Sequence, residues 1–286
     1  MSATRKVPFF DYPRLYSDDR EMLVATVEEV GARGAYIMQK DLVEFETHLA
    51  QYTGAQHAVG VGNATDGLEF GWMAIGLKAG DEVILSSHTM LATASAVITA
   101  GGTPVPVEIG DDNLIDPAAV EAAITNKTVG ISPTQLNGRT CDMDAIMKIA
   151  NKHKLAVIED SAQALGSKFR GKHAGTFGDA GSFSFFPAKV LGALGDGGGV
   201  ITNRKDLYEK IFQLHDHGRD TEGNIRSWGR NSRLDNLQAA ILNKKFEKYE
   251  SVINRRRKIA SMYQEQLQEL EQLQLPPAPV ENGDHF

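Results

Sequence analysis

Lys189 ends an apolar run, Ser182-Phe-Ser-Phe-Phe-Pro-Ala-Lys189, and a glycine-rich stretch at residues 195–199 follows it. Burial among apolar side chains disfavours a charged ammonium and favours the neutral, nucleophilic amine. Lysines prepared in this way form Schiff bases with carbonyl groups. A lysine at a strand end can also pack its stem and keep its head in water, so Lys189 alone leaves both interpretations open.

Asp160 and Gln163 follow a second apolar run, Leu155-Ala-Val-Ile-Glu-Asp160, and Asp160 lies 29 positions before Lys189. Ligands of open α/β sheets bind beyond the carboxyl ends of the strands. A carboxylate there can hold a protonated pyridine nitrogen, because an ion pair about 4 Å long contributes roughly 4 kcal/mol at an effective dielectric constant of about 20. Alternatively, Asp160 caps a helix and Gln163 completes a capping box.

The segment Val59-Gly-Val-Gly62 runs into a polar turn, Asn63-Ala64-Thr65-Asp66, that opens a helix. Backbone N–H groups at a helix N-terminus, helped by the Thr65 hydroxyl, suit a phosphate. Ser184, close before Lys189 on a predicted strand, can add a second phosphate contact. The pattern is neither a Walker loop nor a GxGxxG fingerprint, and an ordinary capped helix remains the alternative.

An amine, a carboxylate and a phosphate-binding turn together match pyridoxal 5'-phosphate (PLP), which carries an aldehyde, a ring nitrogen and a phosphate. We therefore predict that Lys189 forms the Schiff base, that Asp160 holds the ring nitrogen and that the turn at Ala64 and Thr65 holds the phosphate. After an amino donor has displaced it, Lys189 would act as the general base that moves the 1,3-proton.

Apolar strands alternate with helical segments between residues 56 and 202 and must position these groups. Strands are predicted at residues 57–61, 82–85, 103–107, 128–132, 155–158, 181–185 and 199–202. Helices are predicted at residues 65–75, 92–100, 117–124, 142–153 and 206–214. Continuous apolar strands separated by helices indicate an α/β fold, with a mostly parallel sheet covered on both faces.

Helical patterns flank this region. Residues 18–31 are predicted to form a helix capped by Ser17. Residues 234–273 form one long or broken helical tract that leaves the sheet domain, and a proline turn, Pro276-Pro277-Ala-Pro279, follows it. We predict a large domain with an N-terminal arm and helix over residues 1–242. Residues 243–286 would begin a small C-terminal domain that is incomplete here.

The composition excludes several classes of function. A formal net charge of -7 argues against nucleic-acid binding, which needs a basic face, and Arg255-Arg256-Arg257 lies in a helical pattern that is interpreted as a solvated face. The single cysteine, Cys141, excludes an internal disulfide and a multi-thiolate zinc site, and no metal site is predicted. The start lacks a signal-peptide core, and no run has the roughly 18 apolar residues of a membrane span. A cytoplasmic location is expected.

The sequence resembles the DegT/DnrJ/StrS family of PLP-dependent sugar aminotransferases, which have fold type I of the aspartate aminotransferase kind. The resemblance covers nearly the whole chain. Its most specific parts are Ser182-Phe-Ser-Phe-Phe-Pro-Ala-Lys189, Gly195-Asp-Gly-Gly198 and Glu159-Asp160-Ser-Ala-Gln163; further matches are Val7-Pro-Phe-Phe-Asp11, Gly34-Ala-Tyr36-Ile37, Val43-Glu-Phe-Glu46 and residues 231–241. It implies a seven-stranded sheet in the large domain.

The resemblance also implies roles for single residues. Lys189 is the Schiff-base lysine, Asp160 the partner of the ring nitrogen, Gln163 the neighbour of the phenolic oxygen and Ser184 a phosphate ligand. Members are typically homodimers with shared active sites. Asn231 matches an asparagine that reaches the phosphate from the other subunit.

Three positions depart from the family pattern. Met90 stands where most relatives carry an aromatic residue that stacks on the cofactor ring, which a methionine can also cover. Gln135 stands where relatives often have histidine, and Met38 replaces the usual glycine after Tyr36 and Ile37. Roughly the last fifth of a family member, with strands that help close the site, is absent. The presence of Lys189 favours transamination, because a dehydratase branch carries histidine in its place.

We therefore expect an aminotransferase that moves an amino group from L-glutamate to a keto-sugar, by default a nucleotide-linked keto-deoxysugar for surface polysaccharide or secondary metabolite synthesis. The departures at Met90 and Gln135 keep a free keto-sugar acid open, such as the 8-oxo-octulosonate of lipopolysaccharide synthesis. A non-catalytic PLP-binding regulator is the alternative from another class, against which Lys189 and Asp160 count.

Overall fold

The computed structural model describes residues 7–276 and is built on one seven-stranded sheet. Its strands are β1 (His57–Val61), β2 (Glu82–Ser86), β3 (Thr103–Val107), β4 (Thr128–Ser132), β5 (Ala156–Asp160), β8 (Ala180–Ser184) and β9 (Gly198–Thr202). Two short strands, β6 (Lys168–Phe169) and β7 (Lys172–His173), form a separate pair. The strand order in the large sheet is β1-β9-β8-β5-β4-β2-β3. The predicted mostly parallel α/β sheet is confirmed, and the β6–β7 pair was not predicted.

One strand of the sheet, β9, runs antiparallel to both of its neighbours, β1 and β8. The other pairs are parallel. Strands β5 and β8 are adjacent, and Asp160 lies opposite Ser182. The ends of these two strands, which carry the predicted site residues, therefore lie at the same edge of the sheet.

Helices cover both faces of the sheet. They are α1 (Tyr12–Arg33), α2 (Lys40–Thr53), α3 (Ala64–Ile75), α4 (Leu91–Thr99), α5 (Pro117–Ala122), a short 3-10 helix (Leu136–Gly138), α6 (Met143–His153), α7 (Lys205–His215), α8 (Asn236–Phe246) and α9 (Tyr249–Leu267). Among residues 7–276, no helix has the length and apolar character needed to cross a membrane.

The predicted start of the first helix is wrong. Asp11, not Ser17, is the N-cap of α1, and its Oδ1 accepts a hydrogen bond of 3.1 Å from the Arg14 N–H. Pro13 lies in the first turn, where its missing N–H leaves no bond unmade. The helix ends at Gly34, whose φ of 60° is in the left-handed region that favours glycine.

One further helix differs from the sequence predictions. Helix α2 was not predicted as an element, although Leu42, Phe45 and Leu49 recur at helical spacing and are buried. The tract over residues 234–273 is broken between Phe246 and Tyr249, as the second form of the prediction allowed.

Tyr249 and Ile253 of α9 belong to the same buried cluster as Phe183 and Phe185. The first turns of α9 therefore still pack on the sheet domain. The division into residues 1–242 and 243–286 stays a prediction. Residues 277–286, with most of the predicted proline turn, lie outside the described residues.

Candidate active site

Lys189 lies in the loop that connects β8 to β9, where its backbone N–H donates to the Phe186 carbonyl at 2.8 Å. The side chain lines a cavity of about 660 Å³ that Gln163, Ser184 and Arg256 also line. Burial lowers the pKa of the Lys189 amine, and the charge of Asp160 acts in the opposite direction. The half-buried lysine thus faces a cavity, and Arg256, predicted to lie on a solvated helix face, is at its wall.

Asp160 ends β5 and is only 4% exposed. Its Oδ2 accepts a 2.6 Å hydrogen bond from Thr93 Oγ1, and its Oδ1 accepts one of 3.1 Å from the Ala162 N–H. Burial raises the pKa of this carboxyl, whereas these two donors and the charge of Lys189 lower it. The chain after Asp160 forms turns and no helix, so the capping-box interpretation of Asp160 and Gln163 is wrong.

The amide of Gln163 has a fixed orientation. Its Oε1 accepts a hydrogen bond of 2.9 Å from the Asn137 N–H, which leaves Nε2 as the end that can donate. Because Gln163 lines the same cavity as Lys189, a ligand oxygen there can accept from Nε2.

Gly198 lies between Ser184 and the start of α3. Ser184 is opposite Gly198 in the β8–β9 pair, and a Cβ on Gly198 would lie within 2.7 Å of the Ala64 nitrogen. Asn63 caps α3 by accepting from the Asp66 N–H at 2.9 Å. The backbone N–H groups of Ala64 and Thr65, which have no partner inside the helix, therefore lie beside the strand position opposite Ser184, although neither residue lines the cavity.

Met90 occupies the N-cap position of α4 and is 68% exposed. Its carbonyl oxygen lies 3.2 Å from Thr93 Oγ1, the hydroxyl that contacts Asp160 at the shorter distance of 2.6 Å. The sequence analysis did not identify Thr93 as a site residue. Its position could have suggested the role, because it lies in the first turn of α4, which follows the end of β2.

Asn231 is exposed and pairs its backbone with Asp216. The neighbouring Arg230 donates to Asp66 at 2.6 Å and to Glu69 at 2.5 Å, both on α3. These ion pairs hold the loop of Asn231 beside the N-terminal half of α3. Asn231 itself makes no contact with the cavity of its own chain among residues 7–276.

Gln135 is fully buried. Its Nε2 donates to Glu159 Oε2 at 2.8 Å, and its Oε1 accepts from the Cys141 N–H at 2.7 Å. Glu159 also accepts from the N–H groups of Gly175, Phe177 and Gly178. Gln135 therefore anchors loops to β5 and does not line the cavity.

The groups at this edge of the sheet fit PLP. They supply a half-buried amine of lowered pKa at Lys189, a buried carboxylate at Asp160, a donor at Gln163 and free N–H groups at the start of α3. Among the described residues, no group of three or more His, Cys, Asp or Glu side chains could hold a metal ion.

Comparison with known proteins agrees with this fit. The sequence model of the DegT/DnrJ/EryC1/StrS aminotransferase family matches residues 17–286. A pleiotropic regulatory protein of Geobacillus stearothermophilus is 41% identical over 281 residues, which are 98% of this chain and 76% of the relative. The dTDP-3-amino-3,4,6-trideoxy-alpha-D-glucose transaminase of Streptomyces venezuelae is 39% identical over 276 residues, which are 96% of this chain and 73% of that enzyme.

A solved structure shows the same fold. NtdA from Bacillus subtilis, with the cofactor PMP bound, has a TM-score of 0.91 and 36% sequence identity. The match covers 99% of this chain and 65% of NtdA.

Proposed function

Because the chain belongs to the DegT/DnrJ/EryC1/StrS family of PLP-dependent sugar aminotransferases, we propose that it transfers an amino group from L-glutamate to the carbonyl of a nucleotide-linked keto-sugar. The observation that carries the proposal is the cavity-facing Lys189, in the loop after β8, together with the buried Asp160 at the end of the adjacent strand β5. The nucleotide-linked substrate is inferred from the Streptomyces venezuelae relative, which is named for a dTDP-sugar.

In this reaction PLP, when bound, supplies an electron sink for the carbon that loses a proton. Lys189 Nζ would supply the amine that reacts with a carbonyl group and, as a free amine, would move the proton, for which its lowered pKa suits it. Asp160 would hold the protonated ring nitrogen through a buried ion pair. Gln163 Nε2 would donate to the phenolic oxygen.

The phosphate is assigned to the N–H groups of Ala64 and Thr65 and to the Ser184 hydroxyl, which Gly198 brings together. A helix N-terminus is suited to that role because its N–H groups and dipole attract an anion. Met90 is assigned to one face of the ring.

A homodimer with shared active sites is part of the proposal. Asn231 is exposed on a loop that Arg230 holds against α3. In a dimer this asparagine would reach the phosphate of the other subunit, so one chain alone would hold PLP less tightly than the pair.

A PLP-binding regulator is the second candidate, favoured by the name of the Geobacillus stearothermophilus relative. The two functions differ in turnover. An aminotransferase converts its bound cofactor when an amino donor is added, whereas a regulator keeps it unchanged.

The experiment follows the visible absorbance of the PLP-loaded protein. We expect L-glutamate to convert it to the pyridoxamine form, and one member of a panel of nucleotide-linked keto-sugars and free keto-sugar acids to restore it. Lys189→Ala should lose this cycle entirely, whereas Lys168→Ala, a half-buried lysine outside the cavity, should keep it. Turnover by Lys189→Ala would contradict the assignment, and an absorbance unmoved by any amino donor would favour the regulator.

A further inference from the structure

Three threonine hydroxyls form an unbroken chain of hydrogen bonds that ends on Asp160. Thr134 Oγ1 is 2.8 Å from Thr89 Oγ1, which is 2.6 Å from Thr93 Oγ1. Thr93 Oγ1 is in turn 2.6 Å from Asp160 Oδ2. Thr93 is fully buried, Thr134 and Asp160 are each 4% exposed, and Thr89 between them is half-buried.

The direction of this chain follows from counting protons, since each hydroxyl has one to donate. If Asp160 is ionised, Thr93 must donate to it. The short contact between Thr93 and Thr89 then requires the proton of Thr89, and the next contact requires the proton of Thr134. All three hydroxyls therefore point toward the carboxylate. If Asp160 is protonated, the same chain runs in the opposite direction.

The threonines come from two parts of the sheet edge. Thr89 precedes α4, Thr93 lies in its first turn, and Thr134 follows β4, where its backbone pairs with Asp160. The relay thus holds the carboxylate against two neighbouring loops. Because the Ala162 N–H holds the other oxygen, both carboxylate oxygens have fixed donors.

We propose that Thr93, Thr89 and Thr134 form a positioning relay that keeps Asp160 ionised and oriented for a protonated ring nitrogen. This inference rests on the proposed role of Asp160 in holding PLP. Thr93 is the positioning residue that touches the carboxylate, and Thr89 and Thr134 act through it.

Lys189, in the loop after β8, is the charged group that favours the ionised state of Asp160, and burial opposes that state. The preceding residue, Glu159, projects to the other face of β5. There it accepts hydrogen bonds from Gln135 and from the N–H groups of Gly175, Phe177 and Gly178. Burial raises the pKa of Asp160, and Thr93 is the side chain whose hydrogen bond most opposes that rise.

The test titrates Asp160 in the full chain without PLP. The carbonyl stretching band of a protonated carboxyl, identified by its loss in Asp160→Asn, is followed by infrared difference spectroscopy against pH. In Thr93→Val, which keeps the shape and removes the hydroxyl, we expect the pKa of Asp160 to rise by about one to two pH units. Thr93→Ser should restore it, and Thr89→Val should give a smaller rise.

Thr99→Val is the matched control, because Thr99 lies in the same helix and its hydroxyl donates to the Ser95 carbonyl instead. It should leave the titration unchanged. In the PLP-loaded protein, Thr93→Val should bind PLP about tenfold more weakly, and Thr93→Ser should bind it normally.

A Thr93→Val protein whose Asp160 titrates as in the wild type would overturn the relay. So would a Thr93→Ser protein that behaves like Thr93→Val, because the hydroxyl would then not be the cause. The proposed function fails in a different way, namely if Asp160→Asn keeps normal PLP affinity and turnover. The titration without PLP is unaffected by that result.

Discussion

The backbone nitrogen of Ala64 lies 2.7 Å from the position that a Cβ on Gly198 would occupy, and the carbonyl carbon of Asn63 lies at 2.5 Å. Both atoms belong to the backbone at the start of α3, so neither can move aside as a flexible side chain would. Strand β9 can therefore pass the start of α3 only with glycine at this position.

We predict that Gly198→Ala displaces the start of α3 and weakens PLP binding by tenfold or more. The added methyl group should also lower the free energy of unfolding by about 1–3 kcal/mol, the usual effect of overpacking. Fluorescence titration with PLP and urea unfolding measure the two effects. Gly31→Ala is the control, because a Cβ there meets no atom within 4 Å; equal PLP affinity in both variants would contradict the prediction.

The carboxyl of Glu46 should make the stability of the protein depend on pH. Desolvation raises the pKa of this carboxyl from 4.5 to about 7, and the hydrogen bond from the Gly60 N–H only partly opposes it. Since the folded-state value is higher, the stability it confers is complete below pH 4.5 and is lost as the pH rises through 7.

Glu46→Gln keeps the acceptor for Gly60 and removes the titration. Relative to the wild type, its free energy of unfolding should increase by about 2–3 kcal/mol between pH 4.5 and pH 7 and then level off. Urea unfolding at several pH values checks this. A constant difference between the two proteins over that range would show that the folded-state pKa of Glu46 is ordinary.

The contribution of His173 to the pH dependence of stability should have the opposite sign to that of Glu46 over nearly the same pH range. Burial lowers the pKa of this imidazole to about 4, so the stability that its neutral form confers is present above pH 6.5 and is lost as the pH falls through 4. The wild type should therefore show a shallow pH profile between pH 4.5 and 6.5, and Glu46→Gln should show a steeper one. A flat profile in Glu46→Gln, beside a wild type whose stability falls steadily with pH, would contradict the lowered pKa of His173.

Gln135→Leu should destabilise the protein without changing its substrate preference. The substitution removes one donor to the buried Glu159 and leaves the Cys141 N–H unpaired, a loss of about 2–4 kcal/mol. Unfolding in urea and steady-state kinetics with the sugar substrate separate stability from specificity. Gln163→Leu provides the contrast and should weaken PLP binding; a changed sugar preference in Gln135→Leu would place Gln135 in the substrate site.

Met38 has a φ of 50°, a left-handed conformation that disfavours residues with a Cβ by about 1–2 kcal/mol. Met38→Gly should therefore raise the free energy of unfolding by about 1 kcal/mol, because the side chain is 38% exposed and little packing is lost. Met38→Ala keeps the Cβ and should show no gain. Urea unfolding of the wild type and the two variants tests this. A higher free energy of unfolding in Met38→Ala would attribute the stabilisation to loss of the methionine side chain and not to the backbone conformation.

The sequence predicted those features that depend on neighbouring residues. The bounds of β1, β3 and β4 matched because each is an apolar run between turn-forming residues. Asp160 and Lys189 could be placed together because residues after the ends of parallel strands meet at one edge. The start of α1 was missed because Ser17 is a plausible cap, whereas the capping by Asp11 depends on the geometry of the turn itself.

The relay of threonines could not be predicted in this way. Thr89 and Thr134 are 45 positions apart, and they meet because β4 lies between β2 and β5 in the sheet. The same holds for Gln135, whose contact with Glu159 requires the registration of two strands. Contacts of this kind depend on topology, and a substitution such as histidine to glutamine says nothing about whether the position faces a ligand.

The neighbouring positions of β5 and β8 have an evolutionary consequence. Adjacent strands are held about 4.8 Å apart by backbone hydrogen bonds, whatever side chains they carry. The spacing between Asp160 and the end of β8 is therefore largely independent of the surrounding side chains, and the short loop from Ser184 to Lys189 sets the reach of the amine. Substitutions in the other loops at this edge can therefore accumulate while the strand pair that carries Asp160 and leads to Lys189 keeps its geometry.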